Sequence, residues 1–189
     1  GPQTIYTNVF KLEPGHLLLA TRNGLEQKPW YKSYTDTSER TDEARVIEEF
    51  RQLLNDSVKC RMHADVPVGC FLSGGMDSSV VARIASQYTH QLRTYSIAIA
   101  DNPFLDETQY AKEVSAYIGS KHEVIPISTS NMLDEVRVVW DNLDEPFADS
   151  SAIPMLLISK MARKKVTMIL SGDGGDELFL GYGMYEWAN

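Results

Sequence analysis

Cysteine is nearly missing from this chain, with Cys60 and Cys70 the only two in 189 residues. One stands in a helix-like context and the other in a strand-like one. No paired framework is legible, and reduced thiols in a cytoplasmic protein are expected. Positive charge is also short: 18 Lys and Arg against 26 Asp and Glu leave a formal charge of -8. No net positive field exists to draw nucleic acid or an anionic membrane surface, so a polyphosphate ligand would need local backbone donors or a metal. No apolar run approaches the ~20 residues that span a bilayer, and no charged-then-apolar leader follows Gly1-Pro2. Two phosphate-binding patterns are lacking as well. There is no G-x-x-x-x-G-K-[ST], which excludes a Walker-type site, and no G-x-G-x-x-G, which excludes the dinucleotide fingerprint. The spacing of an acidic calcium loop is likewise missing, and the chain shows neither internal repeats nor low-complexity segments.

What is present begins with two short strand-like runs, Ile5 to Phe10 and His16 to Ala20, around the turn signal Glu13-Pro14-Gly15. A polar stretch, Thr21 to Arg40, reads as a linker. Thr41 is placed to cap a helix in which Val46, Ile47, Phe50, Leu53, Leu54 and Val58 recur at helical spacing. Strands and helices then alternate. Apolar runs at Val66–Leu72, Thr94–Ile99, Glu123–Ile127 and Val166–Leu170 read as strands. Between them fall amphipathic segments marked by Val80, Val81, Ile84, Ala85 and Tyr88, by Tyr110, Val114, Tyr117 and Ile118, and by Met132, Leu133, Val136, Val139 and Trp140. A further helix over Ile153–Met161 is capped by Ser150 or Ser151, with Pro154 tolerated in its first turn. Continuous apolar strands alternating with such helices predict an α/β fold: a Rossmann-like parallel sheet sandwiched by helices and preceded by a short β-hairpin.

Two glycine-rich segments follow strands. In Ser73-Gly74-Gly75-Met76-Asp77-Ser78-Ser79, glycine lets the backbone approach a ligand closely. The free N–H groups and dipole of the next helix favour an anion, and three hydroxyls add donors. Alone, the segment also fits a tight turn in which Asp77 caps the helix. The second segment, Ser171-Gly172-Asp173-Gly174-Gly175-Asp176-Glu177, also fits an acidic surface turn. Ligands of open α/β sheets bind outside the carboxyl ends of strands, so two such turns in one sheet favour a shared site. The carboxylates of Asp77, Asp173 and Asp176 would repel a polyphosphate by about 4 kcal/mol per unit-charge pair at ~4 Å. Magnesium resolves the conflict, because it prefers carboxylate and phosphate oxygens together.

Phe71 through Ser79 resembles the SGGxDS pyrophosphate-binding loop of the asparagine synthetase family. Ser171 through Phe179, followed by Gly181-Tyr182, resembles that family's second signature. Leu105-Asp106-Glu107 and Asp144-Glu145-Pro146-Phe147 fall where similar segments occur. The resemblance implies an adenine nucleotide alpha-hydrolase-like fold, with residues 1–37 as the tail of a glutaminase domain plus linker. Residues 38–189 would be the N-terminal part of the ATP-binding synthetase domain, which in family members continues further. It also implies a ligase that uses ATP and Mg²⁺ to adenylate the side-chain carboxylate of aspartate. Ammonia from glutamine then attacks, releasing asparagine, AMP and pyrophosphate.

Carried over residue by residue, Ser73, Gly74, Gly75, Asp77, Ser78 and Ser79 would hold pyrophosphate, and Leu72 and Ile97 would contact adenosine through their backbones. Ser171 and Gly172 would close over the nucleotide. Asp77 and Asp176 would hold the metal, while Asp173 and Asp176 are the catalytic candidates, Asp173 supporting the acyl-adenylate. Asp106, Glu107, Asp144, Glu145 and Asp149 fit helix capping or exposure as well as function. The four histidines, His16, His63, His90 and His122, form no nucleophile–base pattern and are expected in surface or packing roles. The chain departs from the family at Gly1, where a glutaminase has a cysteine nucleophile, so glutamine hydrolysis is not expected of it. It also departs at Leu180, where glycine is common. A related ligase acting on another carboxylate, a non-catalytic nucleotide sensor and a structural fragment remain open, and leftover apolar surface makes a homodimer plausible.

Overall fold

The computed structural model describes residues 2–31, 42–101 and 106–183. A two-stranded antiparallel hairpin, β1 (His16–Thr21) and β2 (Gly24–Pro29), precedes the α/β unit. That unit runs α1 (Glu43–Met62), β3 (Val68–Phe71), α2 (Met76–Ala85), β4 (Arg93–Ile99), α3 (Thr108–Ile118), β5 (Lys121–Ile127), α4 (Thr129–Asp141), α5 (Ala152–Ala162), β6 (Met168–Leu170) and α6 (Gly175–Phe179). Its four strands lie in the order β5-β4-β3-β6, and every pairing is parallel. The expected parallel sheet is therefore present.

The sheet is covered on both faces, and strand alternation decides which residues go where. Cys70 and Leu72 of the β3 segment and Leu170 of β6 pack with Val58 of α1, Ala82 and Ala85 of α2 and Ala111 of α3. Phe71, Tyr95, Ile125, Ile127 and Ile169 face the other way, against Ile158 and Ala162 of α5. Burial pushes the Cys70 thiol up to about 12, so it is an inert core group. Cys60 is exposed on α1, and both cysteines are free.

Three expectations need correcting. The hairpin does not form across Glu13-Pro14-Gly15; β1 pairs instead with β2, from His16 opposite Pro29 to Thr21 opposite Gly24. The start of the supposed linker, Thr21 and Gly24–Pro29, is thus strand, and the missed signal is Asn23-Gly24, a strong short-range hairpin marker. The Ile5–Phe10 run makes only an isolated bridge, Gln3 to Phe10. On α3, Tyr110 and Tyr117 point outward while Thr108, Ala111 and Ser115 are buried. Small side chains face the sheet because the turn after β3 packs directly on the helix, leaving no room for rings. On α4, Leu133 and Trp140 are exposed in the same way. The cap of α1 among the described residues is Asp42, whose carboxylate accepts from the Arg45 N–H at 3.1 Å; Thr41 lies outside the described residues.

Candidate functional site

β3 and β6 are adjacent and parallel, with Cys70 opposite Leu170. Their following turns consequently leave the sheet at the same rim, and both glycine-rich segments sit there. The first turn is cross-braced from within. The Ser78 hydroxyl accepts from the Ser73 N–H at 3.2 Å, and the Ser73 and Ser78 hydroxyls lie 2.9 Å apart. Ser73 Oγ also accepts from the Gly75 N–H at 3.2 Å. Gly74 has φ +88, and a β-carbon there would come within 2.5 Å of Tyr110 Cβ on α3. Neither constraint tolerates a larger residue. Gly75, not Asp77, is the N-cap of α2; Asp77 is in the first helical turn, with its carboxylate free to serve the site.

The second turn lies against the first. A β-carbon on Gly172 would stand 2.7 Å from the Ser78 backbone nitrogen, and one on Gly175 would stand 2.6 Å from the Asp77 carboxylate. Ser171 Oγ donates to Asp173 Oδ2 at 2.8 Å, which orients that carboxylate. Beyond α6, Gly181 approaches Asp176 so closely that a side chain would overlap its carboxylate. The Gly181 N–H closes the helix on the Asp176 carbonyl at 3.0 Å. Leu180, where glycine was the expectation, takes the left-handed conformation with φ 59 and ψ 39. The Glu177 carboxyl is held below its usual range by the Tyr182 hydroxyl, 2.7 Å away.

Between the turns is a cleft of about 450 Å³ lined by Ser73, Gly75, Asp77, Ser78, Ser171, Gly172, Asp173 and Asp176, with Phe71, Met76 and Met155 as its apolar wall. Eight of the proposed site residues thus converge. Gly74 stands behind the first turn and shapes it. The Leu72 side chain is in the core, and its N–H bonds to the Tyr95 carbonyl at 2.8 Å. Ile97 lies two residues past Tyr95, the β4 partner of Phe71, at the same rim. Ser79 differs from the expectation: its hydroxyl is enclosed without a partner and does not line the cleft. Met155 was missed because, within an apolar helix, nothing in the sequence separates it from a core methionine. A second depression of about 380 Å³ shares Phe71, Ser171 and Asp173 and continues along β6.

Of the other acidic candidates, Asp106, Asp149 and Glu145 have side-chain partners away from the cleft. Asp106 and Asp149 accept from the N–H groups of Thr108 and Ser151, at 2.9 and 2.8 Å. Both carboxyls are lowered, Asp106 first by the Thr108 N–H and then its hydroxyl, Asp149 first by the Ser151 hydroxyl and then its N–H. Glu145 pairs with Lys11, and the Asp144 carbonyl accepts from Tyr6 Oη at 3.0 Å. Glu107 precedes α3 without a side-chain cap bond. Leu105 lies outside the described residues.

The cleft walls carry no Lys or Arg among the described residues. A helix N-terminus contributes about 0.3–1 kcal/mol to an anion, far less than the repulsion from three carboxylates. A polyphosphate in this cleft is therefore favoured by an accompanying cation. Among the described residues no three His, Cys, Asp or Glu side chains form a cage of their own. Magnesium held by one or two carboxylates plus substrate phosphates needs no such cage.

Comparison with known proteins gives a consistent result. A Bacillus subtilis glutamine-hydrolysing asparagine synthetase is 38% identical over 187 residues, covering 98% of this chain and 29% of its own length. A Methanocaldococcus jannaschii protein provisionally named as another such synthetase is 40% identical over 186 residues, covering 96% and 36%. The chain therefore spans about a third of the length of these curated relatives. The NMN synthetase structure from Francisella tularensis superposes with TM-score 0.50 at 19% identity over 71% of this chain and 58% of that one, a likeness of fold. The asparagine synthase family model matches residues 49–189, three-quarters of the sequence and all of the cleft, and the chain belongs to that family.

Proposed function

We propose that the cleft binds ATP with Mg²⁺ as the nucleotide site of an amide-forming ligase, which adenylates the side-chain carboxylate of aspartate for attack by ammonia derived from glutamine. The observation that carries this reading is the contact of Gly172 and Gly175 with Ser78 and Asp77, which makes one crevice of two glycine turns. A carboxylate is a poor electrophile, and adenylation gives it a leaving group. Main-chain N–H groups of the first turn and the start of α2 would receive the pyrophosphate portion. Ser73 and Ser78 would fix the shape of that turn. Leu72 and Ile97, at the rim of neighbouring strands, would offer backbone groups to adenosine. Asp173, oriented by Ser171, would face the reacting carboxyl, for which the depression along β6 leaves room. Bound magnesium would offset charge on the departing pyrophosphate. A homodimer through exposed apolar surface belongs to the same proposal.

Equilibrium titration with ATP, with and without Mg²⁺, separates this from a nucleotide sensor. Binding should require the metal and be lost in Asp77→Asn. Metal-independent binding would favour the sensor instead. Pyrophosphate release that depends on aspartate and ammonia tests the acceptor, and release with a different carboxylate would reassign it.

A further inference from the structure

α1 lies outside both glycine signatures, yet it reaches the second one. Only the C-terminal half of α1 packs into the core, through Val58 and Met62. Its N-terminal half carries an apolar ridge that includes Phe50, 43% exposed. The Phe50 ring meets the Phe179 ring edge-on, with centroids 5.4 Å apart and planes at 83°. Phe179 closes α6, the five-residue helix that carries Asp176, and is itself 60% exposed. A helix this short does not hold itself together in water, and its neighbours Leu178 and Leu180 point to solvent. At its start the second turn is held by Gly172 and Gly175 against α2; at its end the Phe50–Phe179 ring pair ties it to α1.

We infer that Phe50 is a positioning residue for the nucleotide cleft: through Phe179 it holds α6 down and keeps the Asp176 carboxylate on the cleft wall. That this serves nucleotide binding rests on the function proposed above; that it orders the turn does not. The ring geometry is the favourable edge-to-face arrangement, and a contact of this kind shifts a local opening equilibrium by about three- to tenfold.

Amide hydrogen exchange tests the inference on the nucleotide-free chain. The reporters are the N–H groups of Gly175, Leu178 and Gly181, which bond to the carbonyls of Gly172, Gly174 and Asp176. Phe50→Ala should speed their exchange by about three- to tenfold while leaving Leu72 and the sheet amides unchanged. Phe50→Tyr should keep the original rates, and Phe179→Ala should match Phe50→Ala. The double variant should add nothing further. Unchanged rates at the three reporters in Phe50→Ala, or equal acceleration across the sheet, would overturn it. Parallel titrations should show Mg²⁺–ATP affinity falling by a similar factor in Phe50→Ala. If the unsubstituted chain binds no Mg²⁺–ATP, the proposed function fails, and the exchange result still decides the role of Phe50.

Discussion

Gly172 and Gly174 stand two residues apart in the same turn but meet different surroundings. A methyl group at Gly172 would strike the Ser78 backbone, whereas at Gly174 it would enter open space and meet only the strain of φ +93. Gly172→Ala should force the turns apart, costing about 2 kcal/mol or more and abolishing nucleotide binding. Gly174→Ala should cost about 1 kcal/mol and leave binding largely intact. Isothermal titration with Mg²⁺–ATP, alongside urea unfolding, distinguishes the two; equal losses would mean that the turns do not depend on close approach. Leu180 presents the opposite case, a branched side chain held at φ 59 while 65% exposed. Little burial is lost on replacing it, so Leu180→Gly should gain about 0.5–1 kcal/mol after the extra freedom of the unfolded glycine is counted. A urea midpoint that fails to rise would show that the exposed side chain stabilises more than the conformation costs.

Between β4, β5 and α3 lies a partly buried polar network that no motif announced. His122 Nδ1 is 2.9 Å from Thr94 Oγ1 and its Nε2 is 3.1 Å from Ser96 Oγ; Thr94 and Ser115 each lie 2.8 Å from Ser120 Oγ. Burial, followed by the nearby Lys112, lowers the His122 pKa from its ordinary 6.5, against a smaller opposing contribution from Thr94. The folded state thus prefers neutral imidazole. Below about pH 6.5 the unfolded chain takes up the proton first, so stability should decline as pH falls from there until the folded pKa is passed. Asp106, Asp149 and Glu177, whose carboxyls are lowered, lose their contributions at more acidic values, so the two windows separate. Replacing His122 with Gln should flatten the first window and leave the second, as read by urea unfolding across pH. An unchanged slope would assign the first window to another group. Such a network is invisible in sequence because Thr, Ser and His in a strand read as weak signals until their partners are known. The glycine turns were legible for the opposite reason: their chemistry is local, and parallel strand order brought them to one rim without further information. Helix faces fared worse. Tyr110 and Trp140 follow helical spacing and still point outward, since periodicity marks an apolar stripe but not which neighbour covers it.

At the scale of the whole molecule, the hairpin and the α/β unit meet sparingly. β2 is exposed along its length and β1 almost so. The segment before β1 supplies the ties to the α/β unit among the described side-chain contacts, Tyr6 to the Asp144 carbonyl and Lys11 to Glu145. Exposed pairs of this kind contribute about 0–1 kcal/mol each, and a two-stranded hairpin is marginal by itself. The sheet and its two cores, by contrast, draw every buried residue from Val58 onward. A division near residue 37 therefore remains a proposal with a direct test. A chain beginning at Asp42 keeps the Asp42 cap of α1, both glycine turns and both cores. It should unfold cooperatively with a thermal midpoint lowered by no more than about 5 °C, since 1 kcal/mol moves a domain of this size by about 2–4 °C. It should bind Mg²⁺–ATP as the longer chain does, because no hairpin residue lines the cleft. A much larger drop, or loss of cooperative unfolding, would show that residues 2–31 complete the fold instead of resting on it.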